Sequence, residues 1–385
     1  MLTRFASRVY RGVRRALRVI SRPVRRDRGL KSVVIQPYRG YGSREHLYLI
    51  GRVFRQPRFG MSLAPGTVFR EVLDVTRRFA RWGLGDVTVR ARFGETERRF
   101  ATDRDGYFHV DMSLDRPPDP SECWHTVELE VTHGDETATA EGLVYIPPPQ
   151  ARLVVISDID DTVMYTGVAN KAKMLWRLFV QDAEARVAFP GVAAFLRGLH
   201  DGPGGDEGNP MLYVSRAPWS IYEVLASFFR LKRIPEGPVL FLREWGLSLQ
   251  RPLPRRARAH KKDLIEGMLE RYPDLPFLLI GDSGQHDPEV YSEIVREYSG
   301  RVRAVYIRDV HRDDVRAAEI GALATESVAA GCPLILALDS KEMAEHAFES
   351  GLLTEEALRG VAEEYEADAA AEDGRSSGQG MSRSA

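Results

Sequence analysis

Residues 153–162 read LVVISDIDDT, a run of apolar residues that ends in Asp158, Asp160, Asp161 and Thr162. A short continuous apolar run suits a strand covered on both faces, as in a parallel sheet. In open sheets of that kind ligands gather at the carboxyl ends of the strands, which is where these acids fall. The two-residue spacing sends Asp158 and Asp160 to the same side. Carboxylates this close raise one another's pKa unless a cation neutralises them, so the stretch reads either as a cation site or as an acidic turn in solvent. Burial of the strand before it favours the site.

Downstream, the runs MLYVS at 211–215, VLFL at 239–242, FLLIG at 277–281 and VRAVYI at 302–307 alternate with helical patterns. The expected class is therefore α/β, a parallel sheet with helices on both faces. Residues from about 310 to 365 are expected to continue as helices, and the end of the chain, GRSSGQGMSRSA, to be disordered.

Upstream the pattern changes. Val87, Val89, Ala91 and Phe93 alternate with polar residues, as do Val127, Leu129 and Val131, and turns at Asp105-Gly106 and His133-Gly134 separate the runs. This period of two predicts half-buried strands in a small β-sandwich, with Asp103 and Asp105 as turn residues. Pro147-Pro148-Pro149 reads as a stiff hinge between the two parts. The layout is a basic segment at 1–30, a β-sandwich-like domain at 31–146, a Pro-rich linker at 147–150, an α/β domain with C-terminal helices at 151–362 and a disordered tail at 363–385.

The 385 residues are 43% hydrophobic and 28% charged, with a formal net charge of -1. That near-neutral total gives no reason to expect a nucleic-acid partner. The charge is uneven, however: residues 1–28 hold ten arginines and one acid, Asp27. Leu2, Phe5, Val9, Val13, Leu17 and Ile20 recur there at helical spacing. A basic amphipathic helix lying on an anionic membrane, a disordered basic tail and a transit peptide all fit this segment. The two cysteines, Cys123 and Cys332, are far apart and lack ligand spacing, which fits a reducing compartment. No run reaches the roughly 20 apolar residues needed to span a bilayer. The expected location is cytoplasmic, with peripheral membrane contact through residues 1–28.

Three further strand or helix ends supply matching chemistry. FLLIG leads into Gly281-Asp282-Ser283, with Asp287 five residues after Asp282; added to Asp158 and Asp160, this is the hard-oxygen environment that Mg²⁺ prefers. MLYVS ends in Ser215, whose hydroxyl can donate to a phosphate oxygen, and Arg216 beside it can reach the same group or be merely solvated. Lys261 and Lys262 open a helical pattern in a chain with 7 lysines against 47 arginines. One of them, Lys261 by preference, would turn inward as a compact charge.

Asp-x-Asp-x-Thr, Ser, Lys and Gly-Asp…Asp, in that order, resemble the motifs of the haloacid-dehalogenase superfamily of phosphohydrolases. SDIDDTV, YVSRAPWSIYEVLASFF, LREWG, HKKDLIEGMLERYPDLPFLLIGDSGQHDPEVY and VYIRDV narrow this to the catalytic domain of actin-patch-type phosphatidate phosphatases. That resemblance covers about Val154 to Val310. Bacterial relatives of the domain carry an N-terminal β region that IQPYRGYG…GRVF at 35–54 resembles.

The resemblance implies a Mg²⁺-dependent phosphatase converting phosphatidate to diacylglycerol and phosphate. Asp158 would be the nucleophile forming an aspartyl-phosphate, and Asp160 the acid and then the base. Ser215 and Lys261 would hold phosphoryl oxygens, with Thr162 and Arg216 as further phosphate contacts. Asp158, the Asp160 carbonyl and Asp282 would hold the metal, with Asp287 at its edge. The insertion between Thr162 and Pro190, with MLWRLFV at 174–180, reads either as a lid or as core. A soluble phosphoester or phosphoprotein substrate, and a non-catalytic lipid-binding role, are the competing readings.

Overall fold

Alternation of period two builds the first sheet. The computed structural model describes residues 31–57, 82–163, 188–219, 222–243, 257–310 and 313–381. The first sheet contains β1 (Lys31–Pro37), β2 (Gly40–Gly42), β3 (His46–Pro57), β4 (Trp82–Gly83), β5 (Thr88–Phe93), β6 (Thr96–Ala101), β7 (Tyr107–Ser113), β8 (Trp124–His133) and β9 (Glu136–Tyr145). Val89 and Ala91 on β5, Val110 and Met112 on β7, and Val127, Leu129 and Val131 on β8 all point into one core with Leu47, Leu49 and Val53 of β3. Their polar neighbours face out, as the alternation predicts. The expected sandwich takes the form of one continuous nine-stranded sheet. Short β2 pairs with both β3 and β9, so the two arms stay hydrogen-bonded across a single core instead of separating into two sheets. Both predicted turns have glycine at positive φ, 84° at Gly106 and 64° at Gly134. Asp103 closes its turn as read, its Oδ1 accepting from Asp105 N at 2.9 Å and Tyr107 N at 2.8 Å.

The second part alternates strand and helix. It comprises β10 (Val154–Asp158), α1 (Val192–Asp201), β11 (Met211–Pro218), α2 (Tyr222–Leu231), β12 (Val239–Arg243), α3 (Ala257–Arg271), β13 (Phe277–Asp282), α4 (Asp287–Glu297), β14 (Val302–Arg308), α5 (Asp314–Ala329), β15 (Leu334–Ala337), α6 (Ser340–Glu349) and α7 (Glu355–Met381). The six strands run parallel in the order β12-β11-β10-β13-β14-β15. Odd and even strand residues divide between two cores. Val155, Met211, Tyr213, Leu278 and Tyr306 pack with α1, α2, α6 and α7, while Val154, Ile156, Leu212, Leu279 and Val305 pack with α3, α4 and α5. The chain steps from β10 outward to β12, then returns to the other side of β10 at β13. That reversal opens a crevice beyond the carboxyl ends of β10 and β13, the usual ligand position in such sheets.

Two expectations fail. Residues 310–365 are not helical throughout, because LILA at 334–337 forms the edge strand β15 against β14. The tail expected to be disordered from 363 is helical to Met381. Its first half is rich in Ala and Glu, good helix formers, and Glu364 pairs with Arg197 while Asp368 accepts from Gly191 N.

The first sheet packs against α2, α3 and the end of β11 in the second part. Tyr38 stacks on Trp219 with ring centroids 4.2 Å apart, and the Tyr222 hydroxyl accepts from Arg39 N at 2.9 Å. Arg271 at the end of α3 lies over the rings of Tyr41 and Tyr48. Among the described residues no helix is long and apolar enough to cross a membrane. The basic segment at 1–30 and most of the expected lid, at 164–187, lie outside the described residues.

Candidate active site

The paired acids that ended the opening strand sit where the parallel sheet places them. Asp158 is the last residue of β10 and Asp282 the last of β13, on adjacent strands, and both are buried. Asp287 opens α4, with its carboxylate folded back toward β13. Its Oδ2 accepts from Asp282 N at 3.3 Å. Gly281 makes this approach feasible, since a Cβ there would stand 2.3 Å from Asp287 Oδ2.

Lys261 is the inward lysine. It is 2% exposed, and its Nζ donates to Asp158 Oδ1 at 2.8 Å and to Asp287 Oδ1 at 2.6 Å. The Tyr291 ring lies 5.4 Å from the same nitrogen. Lys262 points the other way, to Glu266, Glu293 and Glu297. A one-residue step along a helix turns a side chain by about 100°, so adjacent lysines cannot share a face.

Asp160 is buried too, and Ser215 Oγ donates to its Oδ2 at 3.1 Å. Asp161, the next residue, adopts φ 60°, a left-handed conformation that turns the chain toward Thr162. Thr162 is buried, and its Oγ1 has no hydrogen-bond partner. Arg216 lies on β11 beside Ser215, but its side chain is outside the described residues.

The electrostatics follow from four buried acids around one buried ammonium. Burial pushes the Asp158 carboxyl up to about 8; Lys261 opposes the shift, while Asp287 and Asp160 add to it. Burial likewise raises Asp282 to about 9, helped by Asp287 and Asp158. Lys261 is itself costly to bury, yet Asp158 and Asp287 hold its pKa well above the ordinary lysine value. One ammonium does not neutralise this cluster, so another positive charge would be stabilised here.

A divalent cation fits. Carboxylate oxygens of Asp158, Asp282 and Asp287 lie within 4.8 Å of one another. The Asp287 oxygens are already engaged by Lys261 and by Asp282 N. Asp158 Oδ2 and Asp282 Oδ2, by contrast, are buried without a hydrogen-bond partner. Buried carboxyl oxygens without a partner are costly unless a ligand completes them. Asp287 is thus better placed to orient Lys261 than to bind a cation directly.

Gln285 was not singled out from the sequence, although it lies inside GDSGQHD. It is buried, and its Nε2 donates to the backbone carbonyl of Asp160 at 3.1 Å. Gly284 N, one residue before it, donates to Asp282 Oδ1 at 2.8 Å. The 283–285 loop thereby joins the two strand ends that carry the acids.

Residues 153–309 match the family model described as the catalytic domain of phosphatidate phosphatase APP1. The chain is 29% identical over 217 residues to phosphatidate phosphatase APP1 of Saccharomyces cerevisiae, covering 56% of this chain and 35% of that protein. It is 25% identical over 243 residues to an uncharacterized protein of Schizosaccharomyces pombe, covering 60% and 39%. The chain therefore spans little more than a third of the length of these curated relatives. Similarity to solved structures is slight: a chimeric titin shares 11% identity at a TM-score of 0.18, covering 31% of this chain and 97% of that one, too little to bear on the fold.

Proposed function

We propose that this chain, which belongs through residues 153–309 to the family of phosphatidate phosphatase APP1 catalytic domains, is a phosphatase that hydrolyses phosphatidate to diacylglycerol and phosphate. The observation that carries the reading is the convergence of Asp158, Asp160, Ser215, Lys261, Asp282 and Asp287 at neighbouring strand and helix ends inside the matched segment.

An oxygen of the Asp158 carboxylate attacks phosphorus, and the bond from phosphorus to the glycerol oxygen breaks. Asp160 in its acid form gives its proton to the departing alkoxide. Asp160, now a carboxylate, takes a proton from water as the water oxygen attacks the aspartyl-phosphate. The bond between phosphorus and Asp158 breaks, phosphate leaves and Asp160 is again protonated. Lys261 supports the first step by fixing Asp158 through Oδ1, which leaves Oδ2 without a protein partner. Ser215 holds the Asp160 side chain through Oδ2, and Ser215 and Lys261 would bond phosphoryl oxygens. Mg²⁺, when bound, would neutralise charge on those oxygens; Asp158, Asp282 and the Asp160 carbonyl are the groups that would hold it. Thr162 Oγ1, buried without a partner, is a further donor for the phosphate.

We place the protein in the cytoplasm, with residues 1–28 touching anionic membrane, residues 31–146 as one domain and residues 151–362 as the catalytic one. The test is phosphate release from phosphatidate in mixed micelles and from soluble phosphoesters, with and without Mg²⁺, for wild type and Asp158→Asn. Mg²⁺-dependent release from phosphatidate that Asp158→Asn abolishes is the expected result. Efficient turnover of soluble esters alone would move the substrate to that class, and activity unaffected by Asp158→Asn would remove the mechanism.

A further inference from the structure

The loop that bridges the two acid-bearing strand ends is itself held from outside the site, by Arg316 on the first turn of α5. A guanidinium has five N–H donors in a rigid fork. All five are used here. Nε donates to the Ser283 carbonyl at 3.0 Å, and Nη2 donates to the Gln285 carbonyl at 3.0 Å and to Glu289 Oε2 at 3.1 Å. Nη1 donates to Glu289 Oε1 at 2.6 Å and to Glu319 Oε2 at 3.0 Å.

The two backbone contacts matter because of what the loop carries. Between the clasped carbonyls of Ser283 and Gln285 lies Gly284, whose N–H fixes Asp282 Oδ1. The Gln285 side chain reaches the carbonyl of Asp160. Ser283 adds further ties: its N–H donates to the Arg308 carbonyl, and its hydroxyl donates to Asp309 and accepts from Val310 N. These ties fix the near side of the loop along β14, whereas Arg316 holds the backbone of its far end through the Gln285 carbonyl.

We infer that Arg316 is a positioning residue for the candidate site. By clasping the carbonyls of Ser283 and Gln285 it holds the loop whose Gly284 N–H fixes Asp282 and whose Gln285 side chain fixes the Asp160 carbonyl. The inference rests on the cation reading given above, but it concerns residues remote from the phosphoryl group. Lysine cannot replace the fork, because its donors radiate from one nitrogen and cannot reach two carbonyls and a bidentate carboxylate together. Glu289 serves the opposite purpose, neutralising Arg316 without touching the loop. Losing that carboxylate leaves both backbone contacts in place.

The experiment measures Mg²⁺ binding to the full chain by calorimetry for wild type, Arg316→Lys and Glu289→Gln, with thermal melting of each. Supporting outcomes behind a positioned metal site weaken affinity by about 10- to 100-fold when removed. Arg316→Lys is expected to weaken Mg²⁺ binding by about tenfold at the low end of that range. Glu289→Gln keeps an acceptor for Arg316 and both carbonyl contacts, so it is expected to weaken Mg²⁺ binding clearly less than Arg316→Lys. In phosphate-release assays Arg316→Lys should raise the Mg²⁺ concentration for half-activation and leave the substrate KM unchanged.

Arg316→Lys with wild-type Mg²⁺ affinity and a lowered melting temperature would reduce Arg316 to a structural residue and overturn the inference. Equal losses in Arg316→Lys and Glu289→Gln would overturn it as well, since the ion pair and not the carbonyl clasp would then carry the effect. Wild type that binds no Mg²⁺ also sinks it. Calorimetry needs no turnover, so failure of the phosphatase reading shows separately, as intact Mg²⁺ binding without phosphate release.

Discussion

Replacing Lys261 by methionine removes the ammonium and keeps most of the length of the side chain. Lys261 and both of its partners are within 2% of full burial, with Nζ 2.8 Å from Asp158 and 2.6 Å from Asp287. Breaking a buried pair from one side leaves an uncompensated charge and costs about 3–5 kcal/mol. Here two carboxylates lose the same partner, so the upper half of that range applies at neutral pH. For a cooperative unit the size of the α/β part, each kcal/mol moves the melting temperature by about 2–4 °C, so Lys261→Met should melt about 8–20 °C lower near pH 8. The deficit must depend on pH with a definite sign. Burial already raises Asp158 to about 8 while Lys261 opposes the shift, so without the ammonium its folded-state pKa rises further above the unfolded value. A raised carboxyl pKa penalises the fold only where the carboxyl is forced to lose its proton, so the penalty grows with pH and fades as the pH falls. The assay is thermal melting of wild type and Lys261→Met from pH 5 to pH 8.5, with phosphate release in parallel. A gap that stays constant over that range, or melting curves that coincide at pH 8, would refute the argument that Lys261 is the main compensating charge.

Gly281→Ala is expected to displace Asp287, because the added Cβ would stand 2.3 Å from its Oδ2 and 2.7 Å from its Cβ. Phosphate release should fall at least about tenfold, as is usual when a group supporting the site is misplaced, and a crystal structure should show Asp287 moved off Lys261. Asp161→Gly relieves a side-chain residue held at φ 60° and should stabilise the fold by about 1 kcal/mol, read as a rise of a few degrees in melting temperature; a lower melting temperature would show that the Asp161 contacts outweigh the strain. Apparent Mg²⁺ affinity should increase with pH between about 6 and 9, because Asp158 and Asp282, raised to about 8 and 9, must release protons before binding. Calorimetry in buffers of different ionisation enthalpy counts those protons, and a pH-independent affinity would show that the carboxylates are not the ligands.

The parts of the fold that could be read from sequence were those whose signal is local. Five strands of the parallel sheet announced themselves as apolar runs, because burial on both faces leaves no room for alternation. β15 did not, since a run of four, LILA, is too short for periodicity to separate strand from helix. The packing of the first sheet on the second part was also invisible. Nothing in a period-two pattern tells which of Tyr38, Tyr41 and Tyr48 meets Trp219 or Arg271 on another element. In the Pro147–Pro149 run Pro148 is buried, its ring close enough to Gly208 that a Cβ there would stand 2.9 Å away.

The site divides along the same line, and the division has a physical cause. Asp158, Asp160 and Asp282 sit at or just beyond the ends of adjacent central strands, so a residue type at a strand terminus was enough to bring them together. Lys261 comes from a helix on one face; composition singled out the lysine pair, but its inward turn is seen only in the structure, where three glutamates hold Lys262 outside. Gln285 and Arg316 escaped notice because they act largely through peptide carbonyls, at Asp160, Ser283 and Gln285. A carbonyl is the same at every residue, so a sequence records neither which one is bonded nor that an arginine thirty-one positions away supplies the bond. The chemistry was legible where side chains carry it; the scaffold that sets its geometry is written in the backbone, and it emerges only once the loop between β13 and α4 is seen folded against α5.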